Sequence, residues 1–151
     1  MESGKRKVES GKLKAESGKL KAERNEGPRL NEDMSRLIVW QKAHDLVLKI
    51  YEATQGFPKE ELFGLTSQIR RAAVSVPSNI VEGKARGSAR EFRRFLLMAR
   101  GSLEETKYQV FLARDLNYID ERSYKKVRKN MDEVGRLLAG LIKSVGSRQR
   151  Q

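Results

Sequence analysis

The chain has 151 residues, which fits one domain, and a formal net charge of +12, with 32 Lys/Arg against 20 Asp/Glu. Such an excess of bases points to an anionic partner or surface. There is no cysteine, which excludes disulfides and thiolate metal sites. No apolar run approaches the roughly 20 residues that cross a bilayer, and no apolar signal-peptide core follows the N-terminus, so the expectation is a soluble, cytoplasmic protein.

Residues 2–22 are three copies of one heptapeptide, ESGKRKV, ESGKLKA and ESGKLKA. A period of seven invites a coiled coil, but each repeat contains a glycine and lacks a paired a/d apolar seam. Residues 1–35 therefore read as a disordered, solvated tail. Residues 1–36 hold ten Lys/Arg and seven Asp/Glu, a net of +3, leaving 22 basic and 13 acidic residues, or +9, for the rest. The basic surface thus belongs mostly to the folded part, expected over residues 36–146. Met34 lies just ahead of it. Translation from Met34, with the repeats as a variable upstream extension, is an expectation that intact-mass measurement of natively expressed protein tests.

The first helix is expected from about Leu37 to Gln55, with Trp40, Ala43, Val47, Ile50, Tyr51 and Thr54 on its inner face. His44 is the only histidine, and beside an amphipathic seam it reads as a structural or surface residue. Pro58 suits a helix entry, and Glu60 and Glu61 suit a first turn. Leu62, Leu65, Ile69, Ala72, Ala73, Val76 and Ile80 then recur at gaps of three and four, marking one face of a second helix. Beside them runs a polar stripe, Gln68, Arg71, Ser75, Asn79 and Glu82. It reads either as a solvated flank or as a surface buried against another helix or another subunit. Pro77 interrupts the backbone ladder, which predicts a kink or a break; the spacing continues to Ile80 and favours the kink.

Gly83 to Ser88 form a turn, with Gly83 expected at the left-handed position that ends a helix. Ser88 and Glu91 have capping-box spacing. The third helix is expected to bury Phe92, Phe95, Leu96, Ala99, Leu103, Val110, Leu112, Ala113 and Leu116, with Gly101-Ser102 marking a close helix contact. Asn117 can take the left-handed geometry of a terminal glycine. Asp120 caps a fourth helix whose stripe is Tyr124, Val127, Met131, Val134, Leu138, Leu141, Ile142 and Val145. Lys125, Lys126, Arg128 and Lys129 read as a solvated face or as an extension of the basic surface. Residues 147–151 should fray. Four amphipathic helices with short turns predict an all-α, antiparallel up-down four-helix bundle.

Between Arg70 and Arg100 stand eight bases, Arg70, Arg71, Lys84, Arg86, Arg90, Arg93, Arg94 and Arg100, against two acids, Glu82 and Glu91. Arginine forks match phosphate oxygens bidentately. The candidate nucleic-acid-binding residues are Arg86, Arg90, Arg93, Arg94 and Arg100, then Arg70 and Lys84; Arg71 belongs with the polar stripe.

The run Phe57-Pro58, Gly64-Leu65, Gln68 to Ala73, Ser75, Pro77, Asn79-Ile80, Glu82-Gly83, Arg86, Glu91-Phe92, Phe95-Leu96, Ala99, Gly101-Ser102 and Leu116 to Ile119 resembles the four-helix-bundle family of 23S rRNA intervening-sequence proteins. That family includes the accessory variability determinant of diversity-generating retroelements. The resemblance spans roughly Arg36 to Val145, with Ala85 and Asn117 standing where the family pattern has glycine. It implies an antiparallel bundle, a barrel-like homopentamer with a basic surface, and nucleic-acid or reverse-transcriptase binding in the retroelement branch.

The function expected is a non-enzymatic, oligomeric nucleic-acid-binding protein. No recognition-helix module or aromatic stacking platform is visible, so binding led by shape and charge with little sequence readout is expected, with structured RNA or an RNA–protein complex favoured over DNA. The alternative is an adaptor for a reverse transcriptase. An enzyme is not expected: Glu104 and Glu105 are adjacent and point about 100° apart on a helix. No Gly-rich phosphate loop, HExxH or Cys/His site occurs. No metal or cofactor is expected.

Overall fold

The computed structural model describes residues 37–149. Over them it carries four α-helices: α1 Ile38–Thr54, α2 Leu65–Ala85, α3 Ala89–Asp115 and α4 Glu121–Gln149. The heptapeptide repeats lie outside the described residues. A short 3-10 turn, Lys59–Glu61, precedes α2. Each helix packs on its neighbours in the chain and α1 closes against α4, giving a square, antiparallel, up-down bundle. Among the described residues there is no strand.

The core is a ladder of fully enclosed side chains from all four helices: Leu46 and Ile50, Ile69, Val76 and Ile80, Leu96 and Leu103, Met131, Val134 and Leu138. Each such side chain contributes about 1.5–3 kcal/mol of apolar burial, the main favourable term available to this fold. The α1 face is turned from the one the spacing suggests. Val39, Ala43, Leu46, Ile50 and Thr54 are buried, whereas Trp40 and Val47 are half-buried and Tyr51 is exposed. Trp40 instead stacks on His44, ring centroids 5.3 Å apart. Both sets satisfy helical spacing, so periodicity alone could not choose between them.

Proline at position 58 does not open α2. The helix starts at Leu65, with the Glu61 carboxylate accepting the Leu65 N–H at 3.3 Å, and Leu62 lies outside the core. Pro77 sits buried inside an unbroken α2. Gly83 is likewise helical, three residues short of the C-cap Arg86, and Gly87 carries the left-handed backbone, φ +81°. Ala85 therefore needs no glycine; it is the last residue of α2. Gly83 is required for another reason: a Cβ there would fall 2.5 Å from the Phe95 Cβ, so α2 and α3 cross closely at this point. Gly101, by contrast, has open space around it, and the close contact comes from its neighbour, Ser102, whose Oγ lies 2.8 Å from that of Ser75.

The α3–α4 connection follows the sequence reading. Asn117 takes φ +62°. Its N–H donates to the Arg114 carbonyl and the Tyr118 N–H to the Ala113 carbonyl, both at 2.9 Å, which is the Schellman pattern. Leu116, at the cap, is exposed rather than buried, and Leu112 is half-buried. Tyr118 then ties the two loops at this end together, its hydroxyl donating to Glu61 at 3.0 Å. Asp120 caps α4, accepting the Ser123 N–H at 2.7 Å. That bond holds its carboxyl below the usual aspartate range. Leu141 is half-buried, and α4 continues past Gly146 to Gln149.

Candidate nucleic-acid interface

Alternating helix directions place the start of α1, the α2–α3 turn and the end of α4 at one pole of the bundle. The close approach at Gly83 brings Phe92 and Phe95 of α3 against α2, each almost wholly buried. Their rings form a floor for the bases above. The guanidinium carbons of Arg86 and Arg94 lie 5.0 and 4.8 Å from the Phe95 centroid. Lys84 Nζ lies 5.6 Å from that of Phe92. Such cation–π contacts restrain long side chains at modest energetic gain.

Two acids orient the same bases. Arg86 meets Glu82 at 3.1 Å, and Arg94 donates to both oxygens of Glu91 at 2.8 and 3.3 Å. The hydrogen bond from Arg94 lowers the Glu91 carboxyl below its ordinary range, with the charges of Arg94, Arg86 and Arg90 acting in the same direction. Glu91 thus serves Arg94 with its side chain, while its N–H donates to the N-cap Ser88 Oγ at 3.1 Å. Arg90 is exposed on the first turn of α3. Arg93 reaches across to α4, where a Cβ at Gly146 would meet its Nε at 3.3 Å. Lys143, exposed on α4, lies one turn before that crossing. It was missed in the sequence because only the pairing of α3 with α4 brings it near Arg93.

The predicted set therefore divides. Lys84, Arg86, Arg90, Arg93 and Arg94 converge on one pole. Arg100 is exposed on α3, about 15 Å further along the helix from Arg90. Arg70 is a brace between α1 and α2: its Nε donates to Thr54 Oγ1 at 2.9 Å, and its guanidinium lies 4.7 Å from the Tyr51 ring centroid. The polar stripe divides too. Ser75 is half-buried and Asn79 buried, with Asn79 Nδ2 donating to the Ser75 carbonyl at 2.8 Å and to its Oγ at 3.0 Å. Gln68, Arg71 and Glu82 are exposed.

A second feature lies towards the other pole. Tyr51, Leu62, Phe63, Val74 and Arg71 border an open apolar hollow between α1 and α2. Phe63 is 94 % exposed, and Thr66 Oγ1 is buried there without a hydrogen-bond partner. Glu104 and Glu105 point to different partners, Lys107 and Gln109. Among the described residues no group of three His, Asp or Glu side chains is placed to hold a metal ion. No described helix is long and apolar enough to cross a membrane.

Residues 35–140 match the family described as 23S rRNA-intervening sequence protein. The chain belongs to this family. A crystal structure of a protein of unknown function from the S23 ribosomal protein family of Bacteroides thetaiotaomicron VPI-5482 is similar, with a TM-score of 0.65 and 26 % identity. The alignment covers 70 % of this chain and 96 % of that one. Comparison with curated proteins returns no match. The intervening-sequence assignment agrees with the four-helix architecture, and its matched span contains the whole basic turn from Lys84 to Arg94.

Proposed function

We propose that this intervening-sequence protein is a non-enzymatic, oligomeric nucleic-acid-binding protein that takes structured RNA, alone or within an RNA–protein complex, through phosphate contacts. The observation that carries this reading is the convergence of Lys84, Arg86, Arg90, Arg93 and Arg94 on one pole, over a floor of Phe92 and Phe95. Guanidinium groups held in place lose less freedom on meeting a phosphate. Affinity then rises by release of counterions from the RNA. Among the described residues the aromatic rings at this pole are the buried Phe92 and Phe95 and the half-buried Trp40, already stacked on His44, so recognition is led by shape and charge.

Exposed apolar side chains support assembly into oligomers. Phe63, Leu62 and Tyr51 border the hollow described above, and burying them against a second copy would remove their apolar surface from water. Five copies is the number carried by the family resemblance. Light scattering at micromolar concentration tests it, and Phe63→Ser should lower the assembled mass.

The binding test is a titration against structured RNA, duplex DNA and single strands at several salt concentrations. It compares the wild type with Arg86→Gln/Arg90→Gln/Arg93→Gln/Arg94→Gln. Tight RNA binding with a steep salt slope, weakened in the variant, supports the reading. No binding at low salt, or equal binding by the variant, turns it to an adaptor whose basic charge meets an acidic protein such as a reverse transcriptase.

A further inference from the structure

The outer ridge of α4 is the other strongly charged surface of the bundle. Lys125, Lys129, Arg136 and Lys143 follow one another at intervals of four, seven and seven residues. At about 100° per residue they fall within roughly 40° of one another, on the side of α4 opposite its buried Val127, Val134 and Leu138. Arg122 extends the line at its start. All five are exposed. From Arg122 to Lys143 the ridge is about 30 Å long, and beyond it lie Gly146 and Arg93 of the basic pole.

The three acids of α4 border this ridge, within about 40° of its edges at 100° per residue, but their ion pairs go to other side chains. Glu133 pairs with Lys42 of α1 at 3.3 Å, and Asp132 lies between Lys107 of α3 at 3.9 Å and Arg128 at 4.0 Å. Glu121 reaches Arg114 of α3 at 3.9 Å. Among the described residues Lys125, Lys129, Arg136 and Lys143 have no ion-pair partner. The exposed face of α1 is different, mixing Lys49 with Asp45 and Glu52. Clustered like charges raise the energy of the free protein, and the two carboxylates nearest the ridge, Asp132 four residues before Arg136 and Glu133 four after Lys129, are turned to other partners and offset them only in part.

We propose that the α4 ridge is a phosphate track for a duplex segment of RNA, continuous with the basic pole and laid along the bundle axis. This inference rests on the RNA-binding reading above. A straight row of bases suits a stiff duplex, which repeats its phosphates at fixed spacing. It does not suit single strands, because the ridge bears no aromatic side chain on which bases could stack.

The experiment compares two RNA duplexes, one shorter than the ridge and one longer, bound to the full chain at several salt concentrations. The variants are Lys129→Gln/Arg136→Gln on the ridge, Lys49→Gln/Lys59→Gln as a control for net charge, and the four-arginine pole variant. The ridge variant should bind the longer duplex several-fold more weakly than the control does, with a salt slope lower by roughly two, about one per lost phosphate contact. Its binding of the shorter duplex should match that of the control. Circular dichroism should show all variants folded, since the substitutions are on the surface. A ridge variant equal to the control on both duplexes, with the pole variant weakened, overturns the track and leaves the RNA-binding reading standing. Wild type that binds neither duplex at low salt removes both.

Discussion

Gly83→Ala tests the idea that close approach of α2 and α3 builds the basic pole. The new Cβ would lie 2.5 Å from the Phe95 Cβ, 3.2 Å from Phe92 Cδ1 and 3.3 Å from Phe95 Cγ. Carbon atoms in contact prefer about 3.5–4.0 Å. A Cβ cannot rotate away from its own backbone, so the helices must part by about an ångström at this end. Overpacking of this kind costs about 1–3 kcal/mol. Replacing a helical glycine with alanine returns at most about 1 kcal/mol. A fixed 2.5 Å contact belongs in the upper part of that range, about 2–3 kcal/mol, so the expected net loss is about 1–2 kcal/mol. It should come with weaker RNA binding, because Phe92 and Phe95 are the floor under Lys84, Arg86 and Arg94. Gly101→Ala is the counterpart: it is helical with nothing nearby, so the free bundle should gain up to about 1 kcal/mol. Urea unfolding followed by far-UV circular dichroism, at fixed protein concentration, reads both. Gly83→Ala as stable as the wild type would refute the crossing argument.

Three further outcomes are expected. Ser75→Ala and Ser102→Ala should each cost about 0.5–1.5 kcal/mol, and a double-mutant cycle should show coupling, because their hydroxyls bond each other across α2 and α3. The Asp120 carboxyl is depressed in the folded state, chiefly by the Ser123 N–H. Its contribution is therefore present above the unfolded-state value and lost as pH falls through the folded one, and Asp120→Asn should flatten that acid limb in a pH series of urea melts. Arg90→Gln should stabilise the free bundle by about 0.3–1 kcal/mol at low salt, since a base on the first turn opposes the helix dipole, and the gain should fade in high salt.

The four helices were legible because each carries apolar residues at spacings of three and four, and the α3–α4 turn because Asn117 and Asp120 are local signals with local consequences. Facts that depend on pairing were not. Trp40, Val47 and Tyr51 fit helical spacing as well as Val39 and Leu46 do; the choice was made by α2 and α4, which α1 must face together. Gly83 and Gly101 look alike in sequence, yet one sits under Phe95 and the other faces open space. The same limit applied to the site. The cluster from Lys84 to Arg94 is contiguous in sequence and was visible. Arg70 was grouped with it because its partners, Thr54 and Tyr51, belong to another helix, and Lys143 went unseen for the same reason.

Charge is distributed in a way that the fold alone does not need. Glu82, Glu91, Glu121, Asp132 and Glu133 each meet a base within the bundle. Exposed pairs of this kind contribute little, typically up to about 1 kcal/mol each, so they are weak reasons for the surrounding excess of Lys and Arg. Arg90 sharpens the point. It stands at the positive end of α3, beside Arg86, Arg93 and Arg94, where its own charge works against the free bundle. A bound polyanion reverses that sign, since the same proximity then concentrates attraction on its phosphates. Stability and binding should therefore move in opposite directions at Arg90, whereas at Gly83 they should fall together. A substitution at Arg90 that weakened both, or neither, would mean that the basic pole is part of the bundle's own packing rather than a surface held ready for an anionic partner.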